Sequence, residues 1–238
     1  MAPAPVSPVR DRPVFMNFNP AELALWIVPF LAAVVFHEWA HGYVANRLGD
    51  DTAKSEGRLT LNPLVHIDPL GTILLPGLLL LSGSGFLFGW AKPVPVAFHR
   101  LNNPLRDMIY VSAAGPAMNL ALAFLSAGIL AGIAIASPGA PAAEGQFEVA
   151  RPIMLMCQMS LQLNVLLAVF NMLPIPPLDG GRVAVGLLPR QLGEPLSQIE
   201  PYGFLVILTL LLTNVLNVIL RPVMGLVYGA IDAVFGIL

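Results

Sequence analysis

The feature that most constrains this chain is a pair of histidines and a glutamate directly after an uncharged apolar run. Residues 23–36 carry no charge, and His37, Glu38 and His41 follow them at once. On a helix, residues four apart share a face, so both imidazoles can reach one cation while Glu38 lies beside it. Two histidine ligands with a neighbouring carboxylate are the pattern of catalytic zinc sites. Because ionisable groups are costly in lipid, this cluster indicates a functional metal site.

The composition places this cluster in a membrane protein. Of the 238 residues, 56% are hydrophobic and 11% are charged, and the mean hydropathy is +0.76. Soluble domains carry about 25% charged residues. The net charge of −2, without a basic patch, argues against a nucleic-acid partner. A single cysteine, Cys157, excludes an internal disulfide and a cysteine-based zinc cluster. The sequence therefore predicts an all-α polytopic membrane protein.

Apolar segments separated by polar loops divide the chain. Residues 1–20, which are rich in proline, predict a flexible N-terminal tail, and residues 21–238 predict a single transmembrane domain. The segments long enough to cross the bilayer are 21–48 (with Gly49 as a helix stop), 108–136, 153–173 and 202–220. The segment 222–238 is compatible with a tilted crossing or with an interfacial position.

Asp179 is the expected third zinc ligand. It follows the span 153–173 and lies between Pro176-Pro177 and Gly180-Gly181, which interrupt the helix and allow the carboxylate to turn inward. Taken alone, an Asp-Gly pair is more typical of a turn at the membrane boundary. Cys157 is a poor alternative as the third ligand, because a helix would place it about 33 Å from the position of Asp179. His66 and His99 are expected to bind loop backbone instead.

The ligand set also constrains the topology. The two histidines and Asp179 lie toward the carboxyl ends of their helices, so these helices must run in the same direction. The span 108–136 supplies the return crossing, and segment 69–91 is therefore predicted to enter the membrane and come back, bending at Pro76-Gly77. This arrangement puts eight basic residues on the side of the metal site and four on the other. The positive-inside rule then predicts a site toward the cytoplasmic face, in the plasma (inner) membrane.

Three motifs in order give the chain a resemblance to a known family. They are His37-Glu38-Trp39-Ala40-His41, Gly115-Pro116-Ala117-Met118-Asn119, and a motif from Asn171 through Pro174 and Pro177 to Leu178-Asp179-Gly180. Over about residues 21–220 the chain resembles the site-2 protease family of intramembrane zinc metalloproteases. The resemblance implies a three-helix zinc-protease core plus a re-entrant or extended segment and one or two C-terminal helices. It also implies cleavage of a substrate's transmembrane segment near the cytoplasmic boundary. No PDZ-like or soluble sensor domain is expected.

These residues predict a hydrolytic mechanism with one Zn²⁺ per chain. Zinc bound by His37, His41 and Asp179 would activate a water, and Glu38 would act as the general base. Asn119 and Asn171 are candidate oxyanion donors or substrate contacts. For Asn119 the alternative is simple helix packing, because Gly115 and Asn119 form a face of small residues.

Segment 92–96 is a candidate substrate edge strand. Pro93 and Pro95 lack an N–H on one edge, whereas Val94 and Val96 keep theirs on the other, so an extended substrate could add there as a strand. The alternative is a rigid loop at the membrane surface.

The sequence therefore predicts an intramembrane zinc endopeptidase that takes part in regulated intramembrane proteolysis. Its expected partners are the lipid bilayer and membrane proteins with a transmembrane helix. The main alternative is a non-catalytic zinc-binding membrane scaffold or chaperone of the same fold, although such a protein has no need of Glu38. A transporter is less well supported, because the chain shows no inverted repeat.

Overall fold

The computed structural model describes residues 20–82, 89–136 and 147–237. Within these ranges the chain contains no β-strand and forms nine α-helices: α1 (Pro20–Arg47), α2 (Thr52–Ser55), α3 (Leu75–Leu81), α4 (Pro104–Ala136), α5 (Phe147–Asn171), α6 (Asp179–Leu187), α7 (Arg190–Ser197), α8 (Gly203–Leu212) and α9 (Val215–Phe235). Five helical segments are long and apolar enough to cross a membrane: Leu25–Arg47, Pro104–Ala136, Arg151–Asn171, Arg190–Leu212 and Val215–Phe235. The predicted all-α polytopic fold is confirmed. The predicted tail, apart from Pro20, lies outside the described residues.

Helices α1 and α4 pack side by side and run in opposite directions. Near the middle of α1, His37 Nδ1 lies 2.6 Å from Asn119 Oδ1 of α4. One turn later in α1, His41 Nδ1 lies 2.7 Å from the main-chain oxygen of Val111, which comes earlier in α4. Because the contacts advance along α1 and retreat along α4, the two helices are antiparallel.

Helices α4 and α5 are antiparallel as well. Asn119 Nδ2 donates to Asn164 Oδ1 at 2.7 Å, and further along α4 the hydroxyl oxygens of Ser126 and Ser160 are 2.8 Å apart. Small residues allow this close approach, and Ala127 of α4 is fully buried. Helices α1 and α5 therefore run in the same direction, as the predicted ligand set requires.

Helix α1 ends where a glycine permits a turn. It stops at Arg47, and Gly49 has a φ of +108°, which side chains other than glycine rarely adopt. The next residue, Asp50, is fully buried and accepts the N–H of Thr52 at 3.1 Å and that of Ala97 at 2.6 Å. Burial opposes ionisation, but the hydrogen bonds from Thr52 and Ala97 outweigh burial and hold the pKa of Asp50 below its ordinary value. Asp50 thus connects the end of α1 to Ala97, the residue before the short helical turn Phe98–Arg100.

The two ends of segment 69–91 lie close together, as predicted for a re-entrant segment. A π-helical turn and α3 give it 13 helical residues, about 20 Å at 1.5 Å per residue, which is shorter than a bilayer core of about 30 Å. On the return, the N–H of Trp90 donates to the main-chain oxygen of Gly71 at 3.1 Å. The predicted bend at Pro76-Gly77 is wrong, because α3 continues through both residues. Residues 83–88 lie outside the described part of the chain.

The C-terminal helices have boundaries that differ from the prediction. The predicted span 202–220 is interrupted by Asn214, which adopts a left-handed φ of 62° between α8 and α9. Helix α9 then continues through Pro222, so the predicted segment 222–238 is largely the second half of a candidate span. The predicted C-terminal helices therefore correspond to α8 and α9.

Candidate metal centre

The two histidines of α1 are held by hydrogen bonds at Nδ1. His37 Nδ1 bonds to Asn119 Oδ1, and His41 Nδ1 bonds to the main-chain oxygen of Val111. Because these oxygens only accept, each Nδ1 carries the hydrogen, and Nε2 is the ring nitrogen left to bind a metal. The two Nε2 atoms are 3.0 Å apart, and each histidine is only 8% exposed. The helix thus presents two nitrogen ligands to one point.

Asp179 brings a carboxylate oxygen to the same point. It is the first residue of α6, and its Oδ2 lies 3.2 Å from His37 Nε2 and 3.3 Å from His41 Nε2. The following glycine lets α6 start directly against the preceding loop, since a Cβ on Gly180 would lie 2.2 Å from the main-chain oxygen of Met172. Asp179 thus offers a carboxylate oxygen beside both histidine nitrogens, and a carboxylate binds a metal in its ionised form.

The spacing of these three ligand atoms fits zinc. They are 3.0, 3.2 and 3.3 Å apart, close to the roughly 3.3 Å between two ligands of a tetrahedral ion whose bonds are about 2.0–2.1 Å long. Gly115 keeps the adjoining space open, because a Cβ there would lie 2.4 Å from His41 Nε2 and 2.6 Å from His37 Nε2. The structure thus brings together the predicted ligands His37, His41 and Asp179, and this donor set is one that zinc uses in catalytic sites.

Glu38 faces the same cavity as the ligands. This cavity has a volume of about 270 Å³, and the three ligands and Glu38 are part of its lining. Glu38 Oε2 accepts the N–H of Val94 at 2.7 Å, and Glu38 is not part of the ligand group. A carboxylate that lies beside the metal ligands without joining them is placed to exchange a proton with a water.

Residues 89–97, which we call the strap, run beside the cavity without forming helix or strand. Arg58 Nη2 donates to the main-chain oxygens of Lys92 and Pro93, both at 3.1 Å. The predicted edge residues Val94 and Val96 both line the cavity. However, the N–H of Val94 already binds the glutamate, so it is not available to a substrate while that bond holds. For Val96, the role as a substrate edge stays a prediction.

The two predicted asparagines lie in different surroundings. Asn119 is fully buried, with Oδ1 toward His37 and Nδ2 donating to the main-chain oxygen of Ala33 at 3.0 Å and to Asn164 Oδ1. Because both amide hydrogens are used within the core, the predicted oxyanion or substrate contact is wrong for Asn119. This residue orients His37 instead. Asn171 lines the cavity, and its contact with substrate stays a prediction.

The other candidate ligands lie elsewhere. His66 Nε2 is 2.9 Å from the main-chain oxygen of Thr60, which confirms that this ring binds loop backbone. Neither His66 nor Cys157 belongs to the ligand group or to the cavity lining that the described residues form.

Sequence reasoning misses three residues of this site. Gly115 borders the ligands, although its motif suggests only helix packing. Ser112 lines the cavity four residues before Pro116, which has no N–H to offer the carbonyl of Ser112. Arg182 lines the cavity one turn after Asp179. A proline inside an apolar helix and a basic residue one turn after a ligand are the signals that point to Ser112 and Arg182.

Two histidines, an aspartate and a neighbouring glutamate, set among helices long enough to span a bilayer, are the arrangement expected of a membrane zinc metalloprotease. Comparison with known sequences agrees with this class. The chain belongs to peptidase family M50, the site-2 protease family, whose model matches residues 25–214.

Curated relatives extend over most of the chain. A Bacillus subtilis protein named "Putative zinc metalloprotease YwhC" is 36% identical over 89% of this chain and 90% of its own length. The proteins named "Putative zinc metalloprotease Rip2" from Mycolicibacterium smegmatis and Mycobacterium tuberculosis are 33% and 30% identical, over 87% and 80% of this chain and 73% and 68% of their own lengths. No solved structure matches the chain. The family and these names confirm the predicted resemblance and the zinc cofactor.

Proposed function

We propose that this protein is an intramembrane endopeptidase that hydrolyses a peptide bond within or near the transmembrane segment of a membrane protein. The observation that carries the proposal is that the zinc ligands and Glu38 line one cavity among helices able to cross a bilayer. A hydrolytic site among membrane-spanning helices is reached most directly by a substrate that is itself in the membrane. The physiological role would be regulated intramembrane proteolysis.

The residues around the cavity have separate roles in hydrolysis. Zinc, when bound by the two histidines and Asp179, polarises the scissile carbonyl and makes a water more acidic. Glu38 takes a proton from that water as the water oxygen attacks the carbonyl carbon. It then gives a proton to the amide nitrogen as the carbon–nitrogen bond breaks. The N–H of Val94 donates to Glu38 Oε2 and so holds this carboxylate beside the cavity.

The substrate has to be extended where it is cut. In an intact helix the main-chain carbonyls are occupied by intrahelical hydrogen bonds, so part of a substrate helix must unwind to reach the site. The strap and Asn171 border the same cavity as Glu38. We assign Val96 and Asn171 as contacts for this unwound segment. The expected partners are therefore membrane proteins with a transmembrane helix, together with the lipid bilayer.

We place the site toward the cytoplasmic face of the plasma (inner) membrane. The support is the distribution of basic residues, eight on the side of the metal site and four on the other. Labelling of a cysteine placed at the exposed Lys54 in a Cys157→Ser background, with a membrane-impermeant reagent, tests the orientation. We expect labelling in inside-out vesicles, and labelling only in right-side-out vesicles would reverse the assignment.

Cleavage of a reporter membrane protein in liposomes tests the proposed activity. Glu38→Gln keeps an acceptor for the N–H of Val94 but cannot take up a proton, so we expect cleavage to fall by about 10²-fold or more while zinc content stays the same. Asp179→Ala is expected to lose zinc as well as cleavage. Equal cleavage by the wild type and Glu38→Gln, or no cleavage by the wild type over a broad reporter panel, would favour a zinc-binding scaffold.

A further inference from the structure

A series of hydrogen-bonded polar side chains connects the ligand His37 to helix α5. His37 Nδ1 is bonded to Asn119 Oδ1 at 2.6 Å, and Asn119 Nδ2 is bonded to Asn164 Oδ1 at 2.7 Å. Asn164 Nδ2 in turn donates to the main-chain oxygen of Ser160 at 2.8 Å and to its hydroxyl at 3.2 Å. Asn119 is 0% and Asn164 is 1% exposed. Amides buried this deeply are costly unless each polar atom is hydrogen-bonded, and every polar side-chain atom of Asn119 and Asn164 has a hydrogen-bond partner.

The partners of each amide determine which end faces which neighbour. A main-chain oxygen only accepts, so the atom of Asn164 that faces Ser160 is Nδ2, and Oδ1 of Asn164 faces Asn119. In the same way, the main-chain oxygen of Ala33 and Asn164 Oδ1 together require Nδ2 of Asn119, which turns Oδ1 of Asn119 toward His37. Since Oδ1 can only accept, Nδ1 of His37 carries the hydrogen.

We propose that Asn164 is a positioning residue of the zinc centre, which holds His37 through Asn119 in the tautomer that binds zinc. Zinc requires an unprotonated ring nitrogen, and the hydrogen on Nδ1 keeps Nε2 of His37 free for it. Asn164 is not part of the cavity lining and lies outside the three sequence motifs. The inference depends on the zinc centre of the proposed function and not on which bond is cleaved.

Zinc affinity measured by chelator competition on the protein in detergent tests this role. Asn164→Leu removes the acceptor for Asn119, and we expect the zinc Kd to rise about tenfold, as for other residues that support metal ligands indirectly. Gln162→Leu is the matched control, because it also replaces an amide side chain by leucine, but at an exposed position of the same helix. Its Kd is expected to stay within about twofold of the wild type, a difference of less than about 0.5 kcal/mol.

A double-mutant cycle shows whether Asn164 acts through Asn119. In an Asn119→Ala background, Asn164→Leu is expected to have no further effect on zinc Kd, since the intermediate residue is gone. A tenfold loss that persists in this background overturns the proposal. So does an unchanged Kd in Asn164→Leu together with a lower Tm of the zinc-free protein, because that pattern shows a purely structural role.

Asn164→Ser provides a second variant if Asn164→Leu does not fold. Serine is small enough for the helix interface but too short to reach Asn119, so the same rise in Kd is expected, and an unchanged Kd overturns the proposal. Nitrogen-15 NMR of the zinc-free protein, labelled at its four histidines, reads the tautomer directly. In Asn164→Leu, or in Asn164→Ser if the leucine variant does not fold, we expect His37 to lose its single Nδ1–H form. Retention of that form also overturns the proposal. None of these measurements uses cleavage, so their failure is distinguishable from failure of the proposed protease activity.

Discussion

Replacing Gly115 with alanine is expected to disrupt the zinc centre. The added Cβ would lie 2.4 Å from His41 Nε2 and 2.6 Å from Cε1 and Nε2 of His37, whereas ordinary van der Waals contact begins at 3.4 Å. One of the imidazoles, or helix α4 itself, must therefore move by about 1 Å. The rings cannot move freely, because Asn119 and Val111 hold their Nδ1 atoms.

The size of the effect follows from the tolerance of metal bonds. Bond lengths to zinc are kept within about 0.2 Å, so a displacement of about 1 Å breaks at least one of them. Loss of an indirect support for a ligand costs about 10- to 100-fold in metal affinity, so loss of the ligand itself should cost at least about 100-fold, or about 2.7 kcal/mol. We expect cleavage to fall by a similar factor or more, since a misplacement of about 1 Å costs about 10²-fold in rate.

Chelator competition, zinc content and cleavage of the reporter are the measurements for Gly115→Ala. Gly132→Ala is the matched control in the same helix, because a Cβ there has no atom within 4 Å. That control should retain zinc and should stabilise α4 by about 0.5–1 kcal/mol, since glycine is unfavourable within a helix. Zinc affinity of Gly115→Ala within about twofold of the wild type would refute the reasoning, because it would show that α4 can shift at little cost.

Two further variants test how the strap is held. Asp50→Asn removes a buried carboxylate whose pKa is lowered by hydrogen bonds, so we expect the zinc-free variant to be less stable at pH 7 by about 1–3 kcal/mol. Because the folded-state pKa lies below the unfolded value of about 3.9, this difference should shrink as the pH falls below about 4. Thermal unfolding of both proteins across pH 3–7 measures this difference in stability, and a difference that does not change with pH contradicts the prediction. Arg58→Met removes both hydrogen bonds that Nη2 donates to the strap and should slow cleavage about tenfold, which corresponds to about 1.4 kcal/mol, at unchanged zinc affinity. The exposed Lys54→Met is its control, and full activity in Arg58→Met would show that Arg58 does not hold the strap.

The local parts of the site could be predicted because they depend on helix geometry alone. His37 and His41 face one cation in any helix, and Gly49 ends α1 as expected. Asp179 could be predicted because zinc needs a third ligand and few ionisable residues lie near the ends of the apolar segments. The re-entrant path of segment 69–91 could be predicted because the two helices that carry the zinc ligands must run in the same direction. Its bend could not be located, since Pro76 and Gly77 are compatible with either a turn or a helix that continues.

What the sequence by itself determined is the first three membrane-spanning segments, the two imidazoles on one helix face and the direction of the helices that share the zinc. These depend on hydrophobicity and on spacing along the chain. Only the tertiary structure decided that Asn119 faces His37, that the N–H of Val94 binds Glu38, and that Gly115 borders the ligands. Each of these contacts joins residues far apart in the chain, and its geometry depends on how closely the helices and the strap approach one another.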